Sequence, residues 1–161
     1  MRPTREEAEF QAEKLLETSW GKKFPVDPVR IARDLGIDVL EIELDPDIAG
    51  AILKEPGQDP TIFLNASDSA NRQRFTAAHE LGHYVMHSNE PDAFDYIDNR
   101  SSFETDESNM PETFADVFAT NLLMPSDEVK RLRRAHYTPT QIASYFGVSQ
   151  DAAYFRLNNL E

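Results

Sequence analysis

The 161-residue chain has no cysteine, one tryptophan, six glycines and four histidines, and only 16 Lys and Arg against 29 Asp and Glu. Without cysteine there are no disulfides and no thiolate ligands, so any metal must be held by His, Asp or Glu. A formal charge of -13 argues against generic nucleic-acid binding, which draws its affinity from neutralising phosphates with Lys and Arg. The same charge would steer a basic protein partner, or serve solubility alone. Long apolar runs are missing as well. No window approaches the roughly eighteen apolar residues of a membrane span, and the start, MRPTREEAEF, has no apolar h-region. A cytoplasmic location is therefore expected. What remains is a chain that is 40% apolar, of a size for one domain with a real core.

The most informative stretch is Ala77-Ala-His79-Glu80-Leu-Gly-His83. Two histidines four residues apart share one helix face, about 6 Å apart along the axis. In such an HExxH segment the imidazoles hold a metal and the glutamate serves as general base toward water. Composition alone would produce about one accidental match per hundred such chains, so context decides. Ser67-Asp-Ser69 offers caps for a helix reaching His87, and Phe75, Ala77, Ala78, Leu81, Val85 and Met86 cover most of its circumference. Polar groups on so buried a helix need partners, and an ion with a water satisfies two histidines and a glutamate. Gly82 costs about 1 kcal/mol relative to alanine in a helix, which implies close approach of another backbone. His87 pairs with His83 at the same spacing but lies about 12 Å along the axis from His79, too far to share its metal.

Pro111 opens a second helix that Pro125 ends. On a helical wheel Glu112 and Asp116 stand within about 40° of each other, beside Leu123 and Ala119, so both carboxylates border the buried face. A solvated charge pair would sit opposite, so these two require a cation or a histidine N–H. Glu112 as third ligand would leave a position open, as in catalytic rather than structural zinc sites. Asp116, one turn on, could accept the other ring N–H of a ligating histidine. A buried cap or an arginine ion pair is the alternative.

Elsewhere the pattern reads as scaffold. Residues 5 to 18 form an amphipathic surface helix, and Asp27, Pro28 and Gly36 bound a short helix followed by a strand from Ile37 to Leu44. Ile48 to Lys54 and Thr61 to Asn65 read as a hairpin, structural or able to hold an extended peptide by β-addition. Ser88 to Asn109 reads as an acidic, irregular, solvated loop that could instead screen a cleft. Ser126 would cap a short basic helix, Thr138 and Gln141 have capping-box spacing, and Ala143, Gly147 and Ser149 give a helix-turn-helix pattern. The second helix of that pattern would present Gln150, Asp151, Tyr154 and Asn158, a poor major-groove reader, so packing or protein contact is favoured over DNA binding.

Together these segments resemble the ImmA/IrrE metallopeptidases, which derepress phage, mobile-element or stress genes by cutting a helix-turn-helix repressor. The resemblance rests on Phe24-Pro-Val-Asp27 with Leu35-Gly36, on Arg74 through His87, on Glu112-Thr-Phe-Ala-Asp116, on Leu122-Leu-Met-Pro125, and on Ile142 through Ser149 with Arg156-Leu157. It implies an α+β, zincin-like minimal core over residues 1–125, with a small sheet packed on the buried HExxH helix. A helical, helix-turn-helix-like unit over 126–161 would pack on that core, in a short form without a following sensor domain. It also implies zinc, with manganese as the lesser alternative, held by His79, His83 and Glu112, with Glu80 as the catalytic base. Family patterns have Asn or Asp at the Asp116 position. The implied partner is a helix-turn-helix (XRE-type) repressor as protein substrate, with no membrane and no nucleic acid. A non-proteolytic module, as a toxin or antitoxin component or a sequestering antirepressor, is the alternative function; a DNA-binding regulator using residues 138–160 is a third. Tyr84, His87, Tyr96 and His136 all remain open as oxyanion stabiliser, and the oligomeric state is unassigned.

Overall fold

The computed structural model describes residues 4–88, 93–99 and 109–160. In chain order its elements are α1 (Arg5–Ser19), α2 (Pro28–Asp34), β1 (Asp38–Ile42), β2 (Ile48–Lys54), β3 (Thr61–Asn65), α3 (Ala70–Met86), β4 (Phe94–Asn99), α4 (Met110–Leu123), α5 (Ser126–Arg134), α6 (Pro139–Phe146) and α7 (Gln150–Asn158). The fold is α+β, as expected. Asp27 caps α2 by accepting from the amides of Val29 and Arg30, and Pro28 fills the first turn, where its missing N–H costs nothing.

Among the described residues, four strands form one sheet in the order β1-β3-β2-β4. The β2–β3 hairpin pairs antiparallel, with Gly50 opposite Leu64 and Leu53 opposite Thr61. On the far side of β3, β1 runs parallel to it, so the sheet is mixed. The buried side chain of Asn65 joins the sheet to the next helix. Its amide nitrogen donates to the carbonyls of Leu44, Asp45 and Ile48, while its Oδ1 accepts from the Ser67 amide. Ser69 then caps α3 by accepting from the Arg72 amide.

One expectation needs correcting. The acidic stretch after His87 is not irregular throughout, because Phe94–Asn99 forms β4 and pairs antiparallel with β2. The remainder of that expectation, at 89–92 and 100–108, lies outside the described residues. Along β4 the burial alternates, with Phe94, Tyr96 and Asp98 partly buried and Asp95, Ile97 and Asn99 exposed.

The core lies between the sheet and the helices. Val39, Ile52, Ile62 and Leu64 are buried with Ala77, Ala78 and Leu81 of α3 and Phe114, Phe118 and Leu122 of α4. Burial of each such large side chain contributes roughly 1.5–3 kcal/mol, which outweighs the helix propensity lost at Gly82. That glycine is where α3 and α4 touch: a Cβ there would lie 3.0 Å from Ala115 Cα and 3.1 Å from Phe118 Cδ1. Gly50 does the same for the sheet, since a Cβ on it would lie 2.6 Å from Thr76 Cγ2 of α3 and 2.5 Å from the Phe63 carbonyl oxygen.

After α4, Pro125 rather than Ser126 is the N-cap of α5, and no side chain among the described residues caps that helix; Ser126 is its first helical residue. The sequence signal failed there because proline already supplies the extended backbone before the first turn. Thr138 and Gln141 form the capping box of α6, Gly147 closes that helix in the left-handed conformation at φ 66°, and Ser149 caps α7. From α7 the buried Arg156 donates to the Met124 carbonyl at 3.1 Å and to Asn121 Oδ1 at 2.9 Å. Arg74 of α3 donates to the Gly147 carbonyl. No helix among the described residues is long and apolar enough to cross a membrane.

Candidate metal centre

Helix α3 presents His79 and His83 one turn apart, with ring centroids 4.9 Å from each other. Because α4 packs directly over Gly82, its first turn brings Glu112 across both rings. Glu112 Oε2 lies 2.9 Å from His79 Nε2, and Glu112 Oε1 lies 3.0 Å from His83 Nε2. One turn along α4, Asp116 Oδ1 lies 2.8 Å from His79 Nδ1. The carboxylates that the wheel placed beside the buried face are thus both directed at α3. His79 is 3% exposed, while Glu80 and His83 are fully buried.

Two features of this cluster call for a cation. The first is His79, whose nitrogens both face carboxylates. An ionised carboxylate only accepts hydrogen bonds, so positive charge has to sit on the ring as a second proton or between ring and carboxylate as a metal. The second is Glu80, whose Oε1 lies 4.0 Å from His79 Nε2. Neither of its oxygens has a hydrogen-bond partner among the described residues. A bare buried carboxylate costs several kcal/mol; an ion with associated water removes that cost. Two imidazoles and carboxylates, with no thiolate, are a donor set suited to zinc or manganese among divalent ions.

Ionisation follows the same layout. Burial by itself would lower the pKa of His79, but Asp116 and Glu112, together with the charges of Glu80 and Asp98, carry it well above its ordinary value. His83 is pushed down by burial. Burial would raise Glu112, yet the two histidines hold it well below the usual carboxylate range. Glu80 goes well above that range because it is buried, and Asp98 is raised for the same reason.

Strand β4, read from the sequence as loop, carries Tyr96, one of the oxyanion candidates, and Asp98, which the sequence reading missed. The Tyr96 ring stacks on His83 with centroids 3.9 Å apart and planes 9° apart, and its hydroxyl shares a 2.7 Å hydrogen bond with His87 Nε2. Phe94 stacks on His87 at 4.7 Å. Asp98 enters the centre itself: ligand atoms of His79, Asp98 and Glu112 all lie within 4.8 Å of one another. The period-two pattern of Phe94, Tyr96 and Asp98 was the available signal, masked by the acidic residues around it. Of the other oxyanion candidates, His87 is engaged with Tyr96, and His136 is exposed in the turn after α5.

A peptidase family model described as the IrrE N-terminal-like domain matches residues 32–158. The chain belongs to this family, the ImmA/IrrE peptidase group. Membership supports a metallopeptidase in kind, and the matched residues include His79, Glu80 and His83. It is 28% identical over 131 residues to "Uncharacterized immunity region protein 2" of Bacillus phage phi105, covering 80% of this chain and 78% of that protein. Among solved structures, a Mycobacterium tuberculosis transcriptional regulator superposes with a TM-score of 0.67 at 17% identity. That match covers 97% of this chain and 47% of the regulator, so the present chain spans about half its length. At this identity the likeness concerns the fold.

Proposed function

We propose that this member of the ImmA/IrrE group is a zinc-dependent endopeptidase of the cytoplasm that cleaves a helix-turn-helix transcriptional repressor. The reading is carried by one observation: Glu112 reaches both histidines of the HExxH segment while the buried Glu80 beside them has no hydrogen-bond partner among the described residues. His79, His83 and Glu112 would hold the ion. When bound, it would supply Lewis acidity that polarises a peptide carbonyl and makes water nucleophilic near neutral pH. Asp116 accepts from His79 Nδ1, fixing the ring so that Nε2 faces inward. Glu80, raised in pKa by its surroundings, takes the proton from the attacking water and returns it to the departing amine. Residues 1–125 form the peptidase core and 126–161 a helical unit held to it by Arg156. The immunity-region name of the phage relative supports a repressor as target.

The test uses zinc-loaded protein incubated with a helix-turn-helix protein encoded beside it, with products read by mass spectrometry. Glu80→Gln should retain zinc and lose cleavage by at least about 10²-fold, whereas His79→Ala should lose both. Cleavage that survives in Glu80→Gln sinks the mechanism. Tight binding of an uncut repressor by fully loaded wild type would make the chain a sequestering antirepressor instead. Metal analysis of unsupplemented protein separates zinc from manganese.

A further inference from the structure

Strand β4 and helix α3 are matched residue by residue. Phe94 stacks on His87 and Tyr96 on His83, and Asp98 lies beside His79. Two residues of strand advance about 6.7 Å and four residues of helix about 6 Å, so an antiparallel strand and helix stay in step over this length. Alternation along β4 therefore directs Asp98 to the same level as the first histidine of the HExxH segment. The pairing with β2 reinforces this: the register slips between Ile48 and Gly50, opposite Asn99 and Asp98, and such irregularities re-aim side chains near functional sites. Gly50, the residue across from Asp98, lets the sheet lie directly on Thr76. A side chain there would push β2, the strand that holds β4, away from α3.

We propose that Asp98 is a fourth protein ligand that closes the metal site in the resting state, and that it must be displaced before water and a peptide carbonyl can reach the ion. This rests on the peptidase reading and adds a latency device to it. His79 Nδ1 is taken by Asp116, so His79 offers a single nitrogen. The group His79-Glu80-His83 and the group His79-Asp98-Glu112 therefore converge on one ion rather than two. Two atoms bound to one tetrahedral zinc at about 2.1 Å are about 3.4 Å apart, so separations within 4.8 Å need a side-chain closure of at most about 1.4 Å. His79, His83, Glu112 and Asp98 together make a four-ligand set, the number that characterises closed sites, whereas catalytic sites keep one position open. Release is physically accessible because β4 is the outermost strand and pairs with β2 alone among the described residues.

Zinc affinity by chelator competition, and acetohydroxamate binding to the cobalt-loaded protein by visible absorption, test this in the full chain. Asp98→Asn, close in shape, and Asp98→Ala should each lower zinc affinity at least about tenfold, while Asp95→Asn on the exposed side of β4 should leave it unchanged. Asp98→Ala should bind acetohydroxamate at least about tenfold more tightly than wild type, because the position it needs is free. Helical circular dichroism matching wild type shows that the variants are folded. Equal hydroxamate affinity in wild type and Asp98→Ala overturns the proposal whatever the zinc affinity does. Stoichiometric zinc that His79→Ala loses and Asp98→Ala does not affect overturns this inference alone; absence of zinc binding by wild type overturns the peptidase reading with it.

Discussion

Helix α4 carries a buried polar cluster on each of two seams. Toward α7, Arg156 donates to Asn121 and to the Met124 carbonyl, and Asn121 in turn donates to the Val117 carbonyl. Toward α3, Glu112 and Asp116 face His79 from both sides while both oxygens of Glu80 lack a hydrogen-bond partner among the described residues. The first cluster is complete in itself. The second is not: it needs added positive charge, as protons or as a metal ion. Polar groups on two sides of one helix therefore do different work, and the separating criterion is whether the protein alone satisfies them.

Breaking the complete seam should cost most. Arg156→Ala leaves Asn121 and the Met124 carbonyl without their donor and should destabilise the protein by about 3–4 kcal/mol in urea unfolding, with zinc affinity nearly unchanged in the folded fraction. A loss under 1 kcal/mol would erase the distinction between the seams. At the contact of α3 with α4, Gly82→Ala gains about 1 kcal/mol of helix propensity. Its methyl meets the backbone at Ala115 and the Phe118 ring, however, and overpacking costs about 1–3 kcal/mol. A net loss near 1 kcal/mol is expected, with weaker zinc binding as Glu112 is pushed from the histidines.

At the incomplete seam the sign should invert. The folded pKa of Glu80 is raised by burial. Its contribution is therefore fully present below the unfolded value near 4.5 and is lost as pH rises through the raised value. Glu80→Gln removes that loss. In the metal-free protein it should raise Tm by about 3 °C at pH 8, roughly 1 kcal/mol, and leave Tm unchanged at pH 4; scanning calorimetry with chelator at both values decides. The smallest effect belongs to Thr138→Ala, which removes half of the α6 capping box for about 0.5–1 kcal/mol without touching the metal.

How much of this was legible in the chain depended on distance along it. Local signals carried far: the hairpin strands Ile48–Lys54 and Thr61–Asn65, the cap at Asp27 and the box at Thr138 all have the bounds or partners that their residues imply. The wheel of α4 placed Glu112 and Asp116 on the correct side because helical periodicity is itself local. Strand β4 was not legible as structure. Of its outward residues Asp95 and Asn99 are polar and only Ile97 is apolar, and what holds it is pairing with β2 and stacking on α3, both tertiary. Asp98 was invisible for that reason, counted as one more acidic residue in a solvated stretch. The parallel pairing of β1 with β3 was equally out of reach, since apolar alternation records which face is buried and not the direction of a neighbour.

Arg156 also bears on where the molecule can be cut. Its guanidinium serves the end of α4, the helix that delivers Glu112, yet it arrives from α7, five residues before the end of the chain. A truncated protein ending after α4 would retain every residue proposed to hold the ion, but would lose the side chain that completes the last turn of that helix. The smallest excisable peptidase is therefore set by structural support rather than by chemistry, and it extends through α7.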